Sequence, residues 1–255
     1  MARNFVNFEY KSSLYDACKT FLDLFNDPAE TVIDIGSRDG DDLDLMIRLL
    51  GGKAEGVAIE ADPISAAVIQ SKYKDFTVIA AAATNYNGRT HFTRLVSEYD
   101  DIRGASSIYS MKIDPEHEKF LDHVYEGVEQ EHIHVPCVRM STILDSLDKD
   151  VIDFVKIDTE GYSGQVLEGF GERLKDIKML HVETEIQRLH HDHWDHRQVM
   201  RFMLDNGFKI VKFYTEWGLD MQDHLYVNTR FIDNDILEDI SGYIDRNLII
   251  ENRNF

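Results

Sequence analysis

A glycine- and acid-rich loop follows the first strand-like segment and could hold a nucleotide-like ligand. The segment VIDIGSRDG (32–40) carries Gly36 and Gly40, where the missing side chain lets a ligand approach the backbone. A helix is predicted to begin directly after Gly40, and its first amide groups can donate hydrogen bonds to a ligand. Glu60 ends the next strand-like segment, where a carboxylate can accept hydrogen bonds from both hydroxyls of a ribose. This spacing predicts a site for an adenosine-containing ligand.

Two cofactor classes fit this layout, and the charge of the loop distinguishes them. A dinucleotide favours the pattern GxGxxG, because its pyrophosphate lies against the helix N-terminus. This loop has only two glycines, and Asp39, Asp41 and Asp42 at the start of the helix would repel phosphate. S-adenosylmethionine carries no phosphate, and its amino group and sulfonium cation suit carboxylates. The predicted adenosylmethionine site therefore comprises Asp34, Gly36, Ser37, Arg38, Asp39, Gly40 and Glu60.

A second group of charged residues lies at the end of another buried strand-like segment, IDFVKIDTEG (152–161). Lys156 and Asp158 share one face of it because side chains alternate along a strand. Ligands of open α/β sheets bind outside the carboxyl ends of the strands. Lys156 and Asp158 could therefore hold a hydroxyl group, with Asp158 accepting its proton or binding a cation. The alternative is a structural salt bridge in which Asp158 and Glu160 stabilise the following helix N-terminus.

Further carboxylates end the next strand-like segment, IKMLHVETE (177–185). Glu183 could lie beside Asp158, and paired carboxylates are typical ligands of Mg²⁺, so Asp158 and Glu183 are candidate metal ligands. The alternative, equally compatible with the sequence, is that Glu183 bonds only to nearby backbone or solvent. The candidate catalytic residues are Asp158, Lys156, Glu160 and Glu183.

A histidine-rich run, HHDHWDH (190–196), follows this strand on the expected ligand side. It lacks the HExxH spacing of a zinc site, and such a run is more often a solvated loop. His181, His193 and Trp194 remain candidate substrate contacts.

Strand-like and helix-like segments alternate along the chain, which indicates an α/β fold with helices crossing over a mostly parallel sheet. Two late strands close together predict an antiparallel edge. Asn87-Gly88 predicts a hairpin turn, and Pro136 places its strand at a sheet edge or a strand end. The predicted strands are 31–36, 56–60, 76–83, 132–140, 151–158, 177–185, 208–214 and 223–230. The predicted helices are 12–26, 43–52, 61–74, 114–125, 141–147, 159–175, 193–206 and 233–246.

The composition restricts the partners and the compartment. The 255 residues include 27 Lys+Arg and 47 Asp+Glu, and the net charge of −20 disfavours nucleic acids and anionic membranes as partners. Cys18 and Cys137 lie in no metal-binding spacing and are expected to be buried thiols. Without an apolar span or secretory segment, we expect a cytoplasmic protein. One domain is expected over 1–255, with a helical extension at 1–30, a catalytic core at 31–230 and a helical tail at 231–255.

Six segments together resemble the FkbM family of adenosylmethionine-dependent methyltransferases, and the resemblance covers about residues 31–185. The most diagnostic is FVKIDTEGYSGQVLEGF (154–170), which resembles the family's Lys-Ile-Asp-x-Glu-Gly and the helix ending Val-Leu-x-Gly after it. The first loop alone would indicate only methyltransferases in general. The other segments are VIDIGSRDG (32–40), GVAIEADP (56–63), IAAAATNYNGRTHF (79–92), GASSI (104–108) and VRMSTILDSL (138–147).

The resemblance implies a seven-stranded Rossmann-like sheet, the class I methyltransferase fold, with S-adenosylmethionine as cofactor. It implies that Asp34, Gly36 and Gly40 line the methionine end of this cofactor and that Glu60 binds the ribose. It also implies methyl transfer, usually to oxygen and often to a sugar or polyketide hydroxyl. The residues that it places near the adenine are Ala61 and Asp62.

The resemblance also implies that Lys156, Asp158 and Glu160 face the reacting groups. The strand VIDFVKID (151–158) is similar to the metal-binding strand of catechol-type O-methyltransferases, whose terminal aspartate binds Mg²⁺. There the next strand supplies an Asp-Asn pair, whereas this chain has Glu183-Thr184. Ser163 is a second departure, because the family often has an acid at that position.

Two other classes of protein are compatible with parts of the sequence. An NAD(P)-linked oxidoreductase would use a similar sheet, but the missing GxGxxG counts against it. A non-catalytic binding module would not need the set Gly36, Gly40, Glu60, Lys156 and Asp158. N-methylation remains an alternative to O-methylation, because an amine acceptor would use the same carboxylates. The expected partner is a small-molecule or carbohydrate acceptor.

Overall fold

A large sheet and a small sheet, together with six α-helices, make up the part of the chain that the computed structural model describes. It describes residues 6–96, 106–109, 129–186, 193–215, 221–233 and 235–236. The strands are β1 Thr31–Ile35, β2 Glu55–Glu60, β3 Thr77–Ala80, β4 Ala82–Thr84, β5 Gly88–Val96, β6 Glu129–Arg139, β7 Ile152–Ile157, β8 Ile177–Glu185, β9 Phe208–Thr215 and β10 Met221–Asn228. The α-helices are α1 Val6–Phe25, α2 Asp41–Leu49, α3 Pro63–Lys72, α4 Met140–Ser146, α5 Ser163–Phe170 and α6 His196–Asp205. Short 3₁₀ helices occupy Gly171–Asp176 and Thr229–Phe231.

The large sheet has seven strands in the order β3-β2-β1-β7-β8-β10-β9. Strands β3, β2, β1, β7 and β8 pair in parallel, and β10 pairs antiparallel with both β8 and β9. The predicted mostly parallel α/β fold is therefore confirmed, and its antiparallel strand lies beside the edge strand β9. The order reverses direction between β1 and β7, and such a switch point opens a crevice at the carboxyl ends of these strands.

Helices cover both faces of the large sheet, as predicted. On one face, α1, α2 and α3 bury a cluster that includes Phe21, Met46 and Phe154. On the other, α4, α5 and α6 bury a cluster that includes Ile157 and Phe170. Because strand side chains alternate, the face that buries Phe154 also receives the side chains two residues further along each strand.

The small sheet corrects two expectations from the sequence. Its order is β4-β6-β5, so β6 separates the two strands that flank Asn87 and Gly88, and these strands do not form a hairpin. The side chain of Asn87 instead accepts a hydrogen bond from Arg139 N at 2.8 Å, across the end of β6. Pro136 lies in the central strand, but pairing with β4 begins only at Cys137. Because Pro136 has no partner on β4, its missing N–H removes no hydrogen bond between β6 and β4.

Other boundaries also differ from the prediction. The strand expected at 76–83 is divided at Ala81, so that β3 joins the large sheet and β4 the small one. The helix expected at 159–175 starts at Ser163 and ends at Phe170, because Gly171 has φ 52° and a 3₁₀ turn follows. The predicted helix 114–125 and nearly all of 233–246 lie outside the described residues. The three-part division of the chain remains a prediction.

Both cysteines are buried free thiols, as expected. Within the described residues, no helix combines the length and the apolar character needed to cross a membrane.

Candidate functional site

The carboxyl ends of β1, β2, β7 and β8 bring the predicted site residues to one edge of the sheet. Asp34 on β1 is in register with Lys156 on β7, and Lys156 is in register with His181 on β8. Glu60 ends β2, and Glu183 lies near the end of β8. All five side chains lie on the face covered by α1, α2 and α3, because they follow the buried residues of that face with a period of two.

Lys156 is the central cation of this site. Its side chain is only 3% exposed, and its Nζ lies 2.9 Å from Asp158 Oδ2 and 3.3 Å from Asp42 Oδ2. Asp34 Oδ1 is 3.8 Å away. One buried ammonium therefore faces three carboxylates, and the group retains an excess of negative charge. A cationic ligand would reduce this excess, whereas a phosphate would increase it.

Asp34 is fully buried, and neither of its carboxylate oxygens has a hydrogen-bond partner within the described residues. Burial raises the pKa of this carboxyl to about 7, while the nearby Lys156 opposes the shift. A buried polar group without a partner is costly, so a donor from a ligand would stabilise it.

The loop after β1 approaches β7 so closely that only glycine fits. A Cβ on Gly36 would lie 1.7 Å from the carbonyl oxygen of Asp158, and Gly36 also has φ +85°. Ser37 turns inward and donates from Oγ to the carbonyl of Asp34 at 2.7 Å. Gly40, with φ 80°, caps α2 in a left-handed conformation. The loop thus fixes the position of Asp158, the candidate catalytic residue directly after the neighbouring strand β7.

Glu60 is held by two backbone amides at the end of β2. Oε2 accepts from Arg38 N at 2.8 Å, and Oε1 accepts from Asp62 N at 2.7 Å. Burial raises the pKa of Glu60 to about 7, against the opposing effect of these amides. Arg38 contributes its backbone to the site, while its half-exposed side chain lies 3.6 Å from Asp39. The side chains of Arg38 and Asp39 therefore do not share the buried position of Glu60.

The first two residues of α2, Asp41 and Asp42, point in different directions. Asp41 pairs with Lys72 and accepts from the hydroxyl of Tyr73 at 2.7 Å, away from Lys156. Asp42 turns toward Lys156. Asp42 thus belongs to the site, although the predicted site residues do not include it. Adjacent positions on a helix point about 100° apart, so only the packing of α2 on β1 decides which acid faces inward.

Arg94 on β5 is a second residue that sequence reasoning missed. Its guanidinium binds Asp62 through two hydrogen bonds of 2.9 and 2.8 Å and Glu131 through a third of 2.9 Å. Asp62 also accepts from Ile64 N at 2.9 Å as the N-cap of α3. The Asp62 side chain is therefore occupied by protein contacts, and its backbone amide serves Glu60. The partly buried Ala61 packs against the apolar cluster of the small sheet.

Three of the candidate catalytic residues form one carboxylate group. Oxygens of Asp158, Glu160 and Glu183 all lie within 4.8 Å of one another. Glu160 has the positive φ of 49°, and its carbonyl accepts from Ser107 Oγ at 2.7 Å. Three clustered carboxylates are a suitable donor set for Mg²⁺ or Ca²⁺. The predicted proximity of Asp158 and Glu183 agrees with this geometry.

The candidate substrate contacts His181, His193 and Trp194 are all occupied by contacts within the protein, but in different ways. His193 is buried, and its Nε2 lies 2.9 Å from Glu185 Oε2, a pair that anchors the chain entering α6. Trp194 packs against Gly164 of α5. Burial lowers the pKa of His181 to about 3, with the positive charge of Lys156 acting in the same direction. His181 thus lies beside Lys156 on the neighbouring strand. Residues 190 and 191 lie outside the described part of the chain.

Comparisons with solved structures identify several methyltransferases. Magnesium protoporphyrin IX methyltransferase from Synechocystis PCC 6803 with bound SAM has 11% identity and a TM-score of 0.49, covering 90% of this chain and 86% of that one. Methyltransferase FkbM from Methylobacillus flagellatus KT has 16% identity and a TM-score of 0.49, covering 78% of this chain and 43% of that one. The putative RNA methyltransferase PH1948 from Pyrococcus horikoshii has 10% identity and a TM-score of 0.44, covering 85% and 84%.

A search of curated proteins finds no significant match. The family model described as the methyltransferase FkbM domain matches residues 34–210. This match begins at Asp34, extends past β8 and includes the Lys156–Asp158 strand end, in agreement with the resemblance found in the sequence. The chain therefore belongs to the FkbM methyltransferase family.

Proposed function

We propose that this protein transfers a methyl group from S-adenosylmethionine to a hydroxyl oxygen of a small-molecule or carbohydrate acceptor. The observation that carries the proposal is the buried acidic excess around Lys156, in which the Asp34 oxygens have no hydrogen-bond partner among the described residues. A ligand with an ammonium and a sulfonium supplies the charge and the donors that this arrangement lacks. Structural neighbours crystallised with SAM or SAH are compatible with this cofactor.

The residues present fit this cofactor. Asp34 would accept from its amino group, the backbone of Gly36 and Ser37 would line the cofactor at the end of β1, and Glu60 would hold the ribose. Glu60 suits that role because two backbone amides already fix its carboxylate. Ala61 would lie beside the adenine, with Asp62 acting through its backbone and its contact with Arg94.

Asp158 would act as the base. When bound, S-adenosylmethionine supplies an electrophilic methyl group, so the protein mainly has to orient the acceptor and take its proton. Lys156 keeps Asp158 in place through the 2.9 Å contact. Glu160 and Glu183 lie beside Asp158 and can orient further hydroxyls of a polyhydroxylated acceptor.

Asp158, Glu160 and Glu183 would also hold a divalent cation if the reaction requires one. A cation there would orient the acceptor oxygen and make its hydroxyl more acidic. Assays in Mg²⁺ and in EDTA separate the two roles of Asp158.

The charge of the site supports a neutral or cationic acceptor. Carboxylates surround the position where the acceptor would bind, and the chain carries a net charge of −20. A phosphate-rich acceptor would be repelled at this edge of the sheet. An amine is the alternative acceptor, because Asp158 could remove its proton in the same way.

Calorimetric titration with adenosylmethionine, its demethylated product and NAD tests the cofactor. We expect both adenosyl ligands to bind. At a hundredfold excess over Kd, each should raise the free energy of unfolding by about 2.7 kcal/mol. Glu60→Gln should weaken both, while Glu55→Gln, at the exposed start of the same strand, should not. Binding of NAD alone would instead establish an oxidoreductase, and no binding of any of the three would favour a binding module.

Transfer of isotopically labelled methyl groups to a panel of sugars, phenols, amines and RNA tests the acceptor. We expect label on hydroxyl compounds, and loss of transfer in Asp158→Asn with cofactor affinity retained. Label on RNA or on amines alone would refute the proposed acceptor class.

A further inference from the structure

A row of buried polar side chains extends from the candidate active site to the N-terminal helix. Lys156 on β7 is followed by His181 on β8, Asp223 on β10 and Ser13 on α1. His181 is in register with Lys156, and Asp223 is in register with Glu183. Their relative exposures are 3% for Lys156, 1% for His181, 0% for Asp223 and 6% for Ser13. Ser13 and Asp223 lie outside residues 34–210, which the family model matches.

The contacts in this row connect α1 to the strand that carries Lys156. Ser13 Oγ donates to Asp223 Oδ2 at 3.1 Å. The same oxygen lies 3.4 Å from His181 Nε2, without hydrogen-bond geometry, and its negative charge favours the tautomer with the proton on this nitrogen. A single carboxylate oxygen thus contacts both α1 and the histidine behind Lys156.

Packing alone gives no reason for this row. A buried carboxylate and a buried imidazole each lose hydration, and neither ring nitrogen of His181 has hydrogen-bond geometry within the described residues. Apolar side chains fill the preceding positions of the same face, such as Met179 and Leu225. The polar groups begin where the strands approach Lys156.

We infer that His181 and Asp223 are positioning residues for the Lys156–Asp158 pair, and that Ser13 makes α1 a part of this site. His181 separates the carboxylate of Asp223 from the ammonium of Lys156, so that Lys156 is directed to Asp158. Asp223 holds the ring in one tautomer, and Ser13 holds Asp223. This inference rests on the proposed function for its catalytic consequence, but its geometric part can be measured without activity.

The groups that face His181 come from four helices and strands and from the loop after β7. They are Lys156 of β7, Asp158 after β7, Asp42 of α2, Asp223 of β10 and Tyr214 of β9, whose ring centroid lies 5.9 Å from that of His181. Movement of the His181 imidazole would therefore change its distance to each of these groups.

The first test is nuclear magnetic resonance of protein with ¹⁵N-labelled histidine. We expect His181, assigned by its loss in His181→Asn, to be a neutral ring with the proton on Nε2. Asp223→Ala should mix the two tautomers, and Asp223→Asn, whose amide oxygen can still accept, should restore the single form. Ser13→Ala is the milder variant if Asp223→Ala does not fold. A tautomer that Asp223→Ala and Ser13→Ala both leave unchanged would overturn the inference.

The matched control is Asp16→Ala. Asp16 also anchors α1 to the sheet, through Lys212 at 2.7 Å and Tyr214 at 2.8 Å, but it contacts neither His181 nor Asp223 in the described structure. We expect Asp16→Ala to leave the tautomer of His181 unchanged, although release of Tyr214, whose ring faces His181, can shift the His181 signals. Equal effects of Asp16→Ala and Ser13→Ala on the tautomer would show general loosening of α1 and refute a positioning role.

The second test uses labelled methyl transfer to a hydroxyl acceptor from the panel above. Asp223→Ala should lower kcat at least tenfold, with the acceptor KM and the adenosylmethionine Kd changed less than threefold, and Asp223→Asn should recover part of kcat. Unchanged kcat would overturn the inference. If wild-type protein neither binds adenosylmethionine nor transfers methyl groups, the proposed function fails, and the tautomer measurement alone decides whether Asp223 orients His181.

Discussion

Lys156 Nζ, near the end of β7, lies 2.9 Å from Oδ2 of Asp158, the first residue after this strand, so the central cation of the site and the proposed base are two residues apart in the chain. Asp34 and Asp42 approach the same ammonium from β1 and α2. The protein therefore builds a buried site with one cation among three carboxylates, and this imbalance determines how the site responds to mutation, pH and ligand.

Replacement of the cation should destabilise the fold strongly. Lys156→Met leaves three carboxylates without their shared ammonium, and breaking a buried ion pair typically costs about 3–5 kcal/mol. The exposed pair of Lys72 with Asp41 provides the control, because Lys72→Met should cost less than about 1 kcal/mol. Urea unfolding at pH 8 measures both variants. Equal losses of unfolding free energy in Lys156→Met and Lys72→Met would contradict the central role of Lys156.

Cofactor affinity should depend on pH near neutrality. Burial raises the pKa of Asp34 and of Glu60 to about 7, so both carboxyls take up protons below this pH. A protonated Asp34 no longer attracts the amino group of adenosylmethionine, and a protonated Glu60 is a weaker acceptor for the ribose hydroxyls. Adenosylmethionine affinity should therefore fall as the pH drops from 8 to 6, by at most about tenfold per pH unit for each group. Binding near pH 7 should release protons, which calorimetry in two buffers detects. A pH-independent Kd in wild-type protein, equal to the profile of Asp34→Asn, would refute this prediction.

The same pKa shifts affect the stability of the unliganded protein. The folded state binds protons at Asp34 and Glu60 more strongly than the unfolded chain does, because their folded pKa values lie above the ordinary ones. The contribution of these two groups to the free energy of unfolding should therefore decrease as the pH rises from about 4 to about 7. Urea unfolding of wild type and of Asp34→Asn between pH 4 and pH 7 isolates the contribution of Asp34. Free energies of unfolding that change in parallel with pH in the two proteins would contradict the prediction.

The close approach of the first loop to β7 should not tolerate a side chain. Gly36→Ala places a Cβ 1.7 Å from the carbonyl oxygen of Asp158, so Asp158 must move and cofactor binding should be lost. Gly52→Ala is the matched control, because Gly52 also has a positive φ, +74°, but no atom lies within 4 Å of the added carbon. Calorimetric titration and thermal unfolding compare the two variants. Similar adenosylmethionine affinities would show that the contact does not matter.

Arg94 should affect the cofactor without touching the reacting groups. Arg94→Gln removes the paired hydrogen bonds to Asp62, whose amide holds Glu60, so we expect adenosylmethionine to bind about three- to tenfold more weakly. Arg173→Gln is the control. Arg173, on the 3₁₀ helix after α5, also pairs with two carboxylates, those of Asp145 and Asp176, but it does not contact Asp62 or Glu60 in the described part of the chain. An equal loss of affinity in the two variants would indicate a general effect of losing a surface arginine.

Local patterns in the sequence were sufficient for several features. The alternation of side chains along β7 places Lys156 and Asp158 on one face whatever surrounds the strand, which makes their 2.9 Å contact possible. The α/β class follows from alternating elements, and Gly36 follows from the strand–loop–helix pattern. The hairpin predicted at Asn87-Gly88 was wrong, because a local turn pattern does not specify which strand pairs beside it. Strand β6, more than 40 residues later, takes that position because pairing partners are chosen by the whole sheet.

The amino-acid sequence by itself determined the charged residues at the ends of β1, β2, β7 and β8 and the glycine loop, because these depend on neighbours a few residues apart. Six such local segments together identified the family. Only the tertiary structure decided that Asp42 and not Asp41 faces Lys156, that Arg94 binds Asp62, and that the row from Ser13 through Asp223 and His181 approaches Lys156. These contacts join residues from about 30 to more than 200 positions apart. Their partners are set by how helices and strands pack, which no local pattern encodes.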